Sequence, residues 1–351
     1  MKRKILAILL VMVLIFSLSG CAAKGKTRYS AQFLELFDTV TTIIGYADSK
    51  EEFSKYSQLI YDTLKDYHEL YDIYNDYEGI NNIKTINDNA GIAPVKVDQR
   101  ILDLLLFSKE AYEFTDGKVN VAYGAVLQVW HDYRTKGIEN PEKAELPPME
   151  VLEEKATHID INKMIINEEE STVYLKDPDM SLDVGAIAKG YATECVADIT
   201  REAGYTSGLI SVGGNVRAVG GKNDGKVETA WSVGIQNPDL ESEETYLHVL
   251  ELKDLSLVSS GDYERYYTVD GVQYHHIIDP TTLMPAEYMS AISIVTEDSG
   301  MADALSTAVF NMPYEEGLKF IEALPDTEAM WVFEDGTMKY SSGFEAYIKQ
   351  E

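Results

Sequence analysis

The segment SLDVGAIAKGYA, from Ser181 to Ala192, places an acid, a glycine turn and a lysine within seven residues. Asp183 ends a short apolar stretch, Gly185 lets the backbone turn, and a helical pattern starts at Ala186 and includes Lys189. Free amides at a helix N-terminus attract anions, and the lysine adds positive charge. These residues are typical of a site for a phosphorylated ligand, although an ordinary strand–turn–helix junction has the same local pattern.

A second segment, GMADALST, places Asp303 and Thr307 four residues apart on a predicted helix. Residues at that spacing share one helix face, so the carboxylate and the hydroxyl could bind one hard cation together with backbone carbonyls and water. A first-turn acid and a threonine inside a helix give the same spacing without any ligand.

Two adjacent histidines, His275 and His276, end a predicted strand. Neighbouring strand residues point to opposite faces, which makes the two histidines a poor bidentate metal pair. One of them could act as a general base, since imidazole titrates near neutral pH. A structural histidine is the alternative.

Two glycine-containing segments, Ser211–Asn215 and Ser259–Tyr263, are predicted turns after strands. Each could present amides to a phosphate or serve only as a turn. The sequence has no P-loop, GxGxxG fingerprint, HExxH helix, GxSxG elbow or paired CxxC. This pattern argues against the common nucleotidases, Rossmann oxidoreductases, zincins and serine hydrolases.

The elements that must position these residues follow from periodicity and turn signals. Predicted helices are Phe53–Tyr74, Asp98–Thr115, Ala186–Ala203, Asp298–Phe310 and Tyr314–Leu324. Predicted strands are Thr39–Tyr46, Thr172–Leu175, Leu209–Val212, Trp231–Gln236, Tyr246–Leu252, Tyr263–Val269, Gln273–Ile278, Ala291–Val295 and Ala329–Glu334, with a hairpin turn at Asp270-Gly271. Strands and helices do not alternate regularly, which favours a layered α+β fold. Thr135–Pro148 is predicted to be a surface loop.

The N-terminus is typical of a secretory signal. Lys2, Arg3 and Lys4 precede an apolar run from Ile5 to Phe16, which is too short for a confident membrane span. The tetrad Leu18-Ser-Gly-Cys21 resembles the bacterial lipobox, in which the cysteine is lipidated and begins the mature chain. We therefore expect a signal peptide over residues 1–20, a tether over 21–29 after lipidated Cys21, and one catalytic domain over 30–351. The mature protein is expected on the outer face of the cell membrane.

Charge and cysteine content limit the function further. The net charge is −29, and removal of the basic signal makes it more negative, so nucleic acid is not an expected partner. Cys195 is the other cysteine besides Cys21, and its position on the apolar side of a predicted helix indicates a core residue instead of a nucleophile.

In order along the chain, these motifs resemble one family, the ApbE family of FAD:protein FMN transferases. The resemblance runs from about Phe37 to Phe344 and rests on five segments: LDVGAIAKGYA at 182–192, VGGN at 212–215, SGDY at 260–263, HIIDP at 276–280 and ADALST at 302–307. It implies a layered, T-fold-related single catalytic domain. It also implies transfer of FMN from FAD to a threonine or serine hydroxyl of a target protein, through a phosphoester bond, with release of AMP.

The resemblance further implies residue roles. Magnesium would be bound by the backbone carbonyl of Ala186 and the side chains of Asp303 and Thr307. Asp183 and Lys189 would contact FAD, and His276 would deprotonate the acceptor hydroxyl. Flavin or adenine contacts would come from Tyr77, Lys118, Val119, Asn120 and Ile277. Leu283 replaces a glycine common after the family histidine, and Val119-Asn120 replaces a Phe-Asp pair.

Two other functions remain open at this point: a magnesium-dependent FAD pyrophosphatase that uses water as the acceptor, and a flavin-binding lipoprotein without turnover. No internal segment resembles a flavinylation site. The acceptor is therefore expected to be another protein, such as an extracytoplasmic electron-transfer component.

Overall fold

The computed structural model describes residues 25–350. Its strands are β1 (Thr27–Phe33), β2 (Thr41–Ala47), β3 (Val95–Lys96), β4 (Met164–Asn167), β5 (Thr172–Leu175), β6 (Gly208–Val212), β7 (Asn215–Val219), β8 (Lys222–Asn223), β9 (Glu228–Thr229), β10 (Trp231–Gln236), β11 (Tyr246–Leu252), β12 (Ser256–Gly261), β13 (Tyr266–Val269), β14 (Val272–His275), β15 (Ala291–Thr296), β16 (Glu328–Val332) and β17 (Met338–Tyr340).

The α-helices within that range are α1 (Lys50–Tyr71), α2 (Ile83–Asp88), α3 (Gln99–Phe114), α4 (Gly124–Glu139), α5 (Met149–Lys155), α6 (Ala188–Glu202), α7 (Ser299–Phe310) and α8 (Tyr314–Glu322). Short 3-10 helices cover Leu36–Asp38, Pro141–Lys143, Ala156–His158, Ile161–Lys163 and Phe344–Tyr347. None of the helices in residues 25–350 is both long and apolar enough to cross a bilayer.

An eight-stranded antiparallel sheet forms the centre of the fold, in the order β1-β2-β6-β7-β12-β15-β16-β17. All six residues of β15 are buried, because layers cover both faces of the sheet there. Ile292 and Ile294 pack with apolar residues of α7, whereas Ala291 and Val295 pack with β10 and β11. A strand covered on both sides has an almost continuous apolar sequence, as β15 does.

Helix α7 packs against β12 and β15 of the sheet and against α6, which itself contacts β6 and β7, and ten of the twelve residues of α7 are buried. A helix that is apolar on nearly all sides is stable only when it is enclosed in this way. Its buried position brings the carboxylate of Asp303 into the interior, where the side chain is 4% exposed.

The α+β expectation is confirmed, since the sheet is antiparallel and the helices form a separate layer. Three strands have the predicted bounds, namely β5, β10 and β11. Asp98 and Asp298, the first residues of two predicted helices, are N-caps: Asp98 accepts from the amide of Arg100, and Asp298 accepts from the amide of Met301. The predicted Asp270-Gly271 hairpin joins β13 to β14 with positive φ at both residues.

Several sequence expectations differ from the structure. Helix α4 was not predicted, and residues 135–139 of the expected surface loop form its last part. Residues 27–29 of the expected tether belong to β1, because they pair with β2. Ser259 to Gly261 belong to β12 instead of a turn. The proposed signal peptide and Cys21 lie outside the described residues.

Cys195 is half-buried and free, and it packs against the cluster that contains Tyr67 and Tyr71. Burial raises the pKa of its thiol to about 11. A neutral thiol is a weak nucleophile, which agrees with the predicted core role.

Candidate active site

An open cavity of about 320 Å³ lies where the first turn of α6, the face of α7 and the ends of β7, β12 and β14 meet. Ligand cavities of this size and larger are typical of small-molecule sites. The structure brings ten of the predicted site residues to its wall: Lys118, Val119, Asn120, Asp183, Ala186, Lys189, His276, Ile277, Asp303 and Thr307.

The turn before α6 is held by Asp183. Its Oδ1 accepts from the amide of Gly185 at 2.8 Å, and its own amide donates to the carbonyl of Val121 at 2.8 Å. Burial raises the pKa of the Asp183 carboxyl, while the Gly185 amide acts in the opposite direction. The carboxylate therefore fixes the turn and also lines the cavity.

Helix α6 has no side-chain cap from its own N-cap residue, Ile187. The amide of Gly190, in the first turn, instead donates to Oδ2 of Asp303 on α7 at 2.8 Å. Gly190 is the third residue of α6, so its amide is one of the initial helix amides that have no acceptor within the helix itself. No hydrogen bond from residues 25–350 reaches the Ala186 carbonyl, which is left as a free acceptor beside the cavity.

Three oxygen atoms at this junction suit a hard divalent cation: the Ala186 carbonyl, Oδ1 of Asp303 and Oγ1 of Thr307. Within the described chain none of the three takes part in a hydrogen bond, and all three residues line the cavity. Carboxylate, hydroxyl and carbonyl oxygens are ligands that Mg²⁺ accepts. The residues present therefore fit the magnesium site that the family resemblance implies.

A different cluster of possible metal ligands, formed by His158, Asp177 and Asp179, lies outside the cavity wall. Both carboxylate oxygens of Asp177 are already engaged there, one by His158 at 3.0 Å and the other by Lys163 at 2.6 Å. The cluster is better described as an ion-pair network than as a metal site.

Besides Lys118, which lies near Asp279, three cationic residues line the cavity: Lys189, Arg134 and Arg265. Within residues 25–350 none of them forms an ion pair, although Arg134 contacts Nδ1 of His131 at 3.1 Å. Burial lowers the pKa of Arg134, and the like charge of Arg265 acts in the same direction. Unpaired cations in a protein of net charge −29 indicate a site for an anion.

The two histidines have different environments. Strand β14 ends at His275, so His276 lies just outside the strand and not inside the predicted strand Gln273–Ile278. Nε2 of His275 donates to the Ala286 carbonyl at 2.8 Å, and its Nδ1 accepts from the Ile277 amide. His276 lines the cavity, and its buried Nδ1 has no hydrogen-bond partner in the described chain.

Burial lowers the pKa of His276 to about 3, and nearby positive charges, led by Arg265 and Arg134, act in the same direction. The imidazole is therefore neutral near pH 7 and can accept a proton.

The residues at the other end of the cavity are mostly buried or already bonded within the protein. Lys118 lies 3.8 Å from Oδ1 of Asp279, and Val119 and Ile277 are buried. Asn120 uses both ends of its amide within the protein: Nδ2 donates to the Ile159 carbonyl and Oδ1 accepts from the Ala122 amide, each at 2.9 Å. The side chain of Asn120 thus fixes the local loop while the residue contributes to the wall.

Tyr77 is placed differently from the expectation. It is absent from the described wall of the cavity, and its hydroxyl donates to Oδ2 of Asp72 at 2.7 Å. Tyr74 lines the cavity in its place, and its ring lies 5.2 Å from that of His131. Asp72 itself lines the cavity, so Tyr77 is joined to the cavity wall through this acid.

Sequence reasoning missed Trp130, His131 and Arg134, which line the cavity from α4. The sequence contains a signal for this placement, because Val126, Trp130 and Arg134 recur at four-residue spacing. A helix predicted here would have placed Trp130 and Arg134 on the same helix face. Arg265 was also missed, because it follows the SGDY motif in a segment read only as a turn and strand.

The chain matches the family model described as the ApbE family over residues 37–331. It is 34% identical to the FAD:protein FMN transferase of Treponema pallidum over 273 residues, covering 74% of this chain and 73% of that protein. It is 29% identical to the FAD:protein FMN transferase of Klebsiella pneumoniae over 261 residues, covering 74% and 77%.

Solved structures give the same result. The crystal structure of the ApbE protein from Thermotoga maritima superposes with a TM-score of 0.80 at 27% identity, covering 92% of this chain and all of that one. The flavin transferase ApbE from Vibrio cholerae has a TM-score of 0.74 at 23% identity, with 92% and 99% coverage, and is similar in fold.

Proposed function

This chain belongs to the ApbE family, and we propose that it is a magnesium-dependent transferase that moves FMN from FAD to a serine or threonine hydroxyl of another protein. The cavity supports this activity by combining a neutral, unpartnered histidine with unpaired cations and three free oxygen ligands. Phosphoryl transfer needs these elements: a base for the nucleophile and compensation for phosphate charge.

The proposed reaction is a displacement at the phosphorus on the FMN side of the pyrophosphate. The acceptor hydroxyl gives its proton to His276, and its oxygen forms the new P–O bond. The bond from that phosphorus to the bridging oxygen breaks, and AMP leaves with the bridging oxygen. Lys189 binds the pyrophosphate and holds it in line with the acceptor.

Ala186, Asp303 and Thr307 would hold the magnesium ion, which would supply charge compensation for the phosphate oxygens. The positive groups that depress the pKa of His276 would be offset by the bound pyrophosphate. His276 would therefore become a stronger base when FAD is present, which links base strength to substrate binding.

The test combines two measurements on the purified protein with FAD and Mg²⁺. We expect a protein acceptor that carries a serine or threonine to gain the mass of FMN, together with AMP. The rate of AMP release should fall strongly when the acceptor is omitted. Equal AMP release without acceptor would favour the pyrophosphatase, and tight FAD binding without AMP would favour a non-catalytic flavin-binding protein.

We also propose that the mature protein is a lipoprotein, anchored through Cys21 on the outer face of the cell membrane, and that its acceptor is an extracytoplasmic electron-transfer protein. The lipobox-like tetrad and the basic n-region support this location. Membrane fractionation of the wild type and Cys21→Ser tests the anchor. Mass spectrometry of surface proteins, with and without this gene, tests the acceptor.

A further inference from the structure

The VGGN segment has no role in the reaction described so far, yet its asparagine lies beside the proposed metal ligand. Gly213 and Gly214 have φ values of 57° and 91°, and they form the two-residue turn between β6 and β7. Positive φ at both positions is the requirement of a type I′ hairpin, which glycine meets without strain. The turn therefore fixes Asn215 as the first residue of β7, at the cavity wall.

Asn215 is 2% exposed, and its buried Nδ2 has no hydrogen-bond partner within residues 25–350. Buried polar groups in folded proteins are nearly always paired, so an unpaired donor at a cavity wall calls for a ligand. Burial raises the pKa of the Asp303 carboxyl, and the charge of Lys189, the Gly190 amide and the Asn215 amide act in the opposite direction. Nδ2 of Asn215 therefore lies next to the carboxylate without forming a hydrogen bond of regular geometry to it.

The three asparagines of the cavity wall are not equivalent. Asn120 uses both ends of its amide within the protein. Asn311 donates from Nδ2 to the Thr307 carbonyl at 3.0 Å and leaves only its Oδ1 unpaired, which is an acceptor. Asn215 is the one of the three with an unpaired donor. A phosphate oxygen accepts hydrogen bonds, so only Asn215 suits it.

We propose that Asn215 is a substrate-binding residue that donates a hydrogen bond from Nδ2 to a non-bridging oxygen of the FAD pyrophosphate. A neutral amide fits this position because a second carboxylate would repel both Asp303 and the phosphate. The assignment rests on the proposed function, since it takes FAD as the substrate of this cavity.

The decisive variant is Asn215→Ala, measured by calorimetry with saturating Mg²⁺ against two fragments of FAD. ADP contains the pyrophosphate, and riboflavin contains the flavin without any phosphate. We expect the affinity for ADP to fall about tenfold, the range for loss of a hydrogen bond to a charged group, and the affinity for riboflavin to change less than twofold. Asn215→Asp should weaken ADP binding further.

A third ligand separates a direct role from one exerted through the metal. Mn²⁺ affinity, measured by electron paramagnetic resonance, should be the same in the wild type and Asn215→Ala. If Mn²⁺ affinity falls as much as ADP affinity, Asn215 acts through Asp303 and the proposal is overturned. Equal loss of ADP and riboflavin binding, or no loss of either, also overturns it.

Asn215→Leu keeps the size of the side chain and removes the donor, so it replaces Asn215→Ala if the smaller residue fails to fold. The wild type serves as the control for the function itself. A wild-type protein that binds neither ADP nor FAD would contradict the proposed function, whereas normal wild-type binding with an unchanged variant contradicts only the role of Asn215.

Discussion

The amide of Gly190 donates a 2.8 Å hydrogen bond to Oδ2 of Asp303, and this bond joins the helix that carries Lys189 to the helix that carries Thr307. This interaction caps α6 and orients the carboxylate, while the Ala186 carbonyl lies just before the helix and has no hydrogen-bond partner in residues 25–350. A carboxylate is favourable at a helix N-terminus, where the helix dipole is positive. The same hydrogen bond therefore helps to position Lys189, which would bind the anion, and Asp303, which would bind the cation.

Asp303→Asn tests the negative charge at this junction. The asparagine keeps a carbonyl oxygen for the Gly190 amide, so we expect a folded protein that binds Mn²⁺ weakly and transfers FMN at least about 100-fold more slowly, as loss of a main charged ligand implies. The matched control is Asp298→Asn on the same helix, since asparagine also caps helices well. Wild-type transfer by Asp303→Asn would contradict the proposed metal site.

His276→Gln tests the proposed base. Loss of general-base catalysis lowers kcat by about 100-fold or more, while the KM for FAD should change little. His275→Gln is the matched control: His275 bonds within the protein through both ring nitrogens, so this variant should lose stability and retain most of kcat. Equal kcat losses in the two variants would contradict the assignment of His276, and not His275, as the base.

The depressed pKa of His276 also predicts how stability varies with pH. The folded protein takes up this proton only near pH 3, whereas the unfolded chain takes it up near pH 6.5. The stability that the folded protein has with His276 neutral is fully present above pH 6.5, and it is lost as the pH falls toward 3. Between pH 7 and pH 5, the wild type should therefore lose more free energy of unfolding than His276→Gln.

Urea denaturation at the two pH values measures this difference, and the remaining histidines are common to both proteins. An equal loss of free energy of unfolding in the two proteins would show that His276 is not shielded from protonation. Adding FAD to the wild type should raise the pKa of His276, which can be followed by the NMR shifts of the ring.

Gly190→Ala tests the close approach of α6 and α7. An added Cβ would lie 2.2 Å from the carbonyl oxygen of Ser299 and 2.4 Å from Cβ of Asp303, so the helices must separate. We expect a loss of about 1–3 kcal/mol of stability together with weaker Mn²⁺ binding. At Gly300, across the same interface, the nearest atom is 3.2 Å away, and Gly300→Ala should be milder by denaturation. Identical effects would argue against a special contact at Gly190.

A buried ion pair supports the same junction from the sheet. Nε of Arg217 on β7 donates to both carboxylate oxygens of Glu194 on α6, at 3.0 and 2.9 Å, and Glu194 also accepts from the Ser299 amide at 2.7 Å. Arg217→Met leaves that carboxylate without its cation, so we expect about 3–5 kcal/mol of destabilisation in chemical denaturation. Glu194→Gln, which keeps a neutral hydrogen-bonding group, should cost less stability than Arg217→Met.

The sequence was sufficient for elements with strong local signals. The helices predicted to begin at Asp98 and Asp298 do begin with these residues as N-caps, and the alternation of His275 and His276 predicted that at most one of them faces a given site. Helix α4 was missed because its glycine and charged residues near the C-terminus resemble a loop. For the same reason, Trp130 and Arg134 were not predicted as cavity residues.

Other features have no local signal at all. The bond between Gly190 and Asp303 joins residues 113 positions apart, and only the packing of α6 on α7 creates it. The same holds for Tyr77, whose hydroxyl is held by a buried acid that periodicity cannot identify. Spacing along the chain indicates which residues share a helix face, but it does not indicate which acceptor a side chain finds.

Strand β1 starts at Thr27 and forms one edge of the central sheet. With the lipid anchor that we propose at Cys21, the chain between the anchor and that edge can extend at most about 20 Å. The catalytic domain would then work within roughly its own diameter of the bilayer surface. Acceptor hydroxyls on membrane-bound proteins would lie within its reach, and those on freely diffusing proteins would have to approach the membrane to be modified.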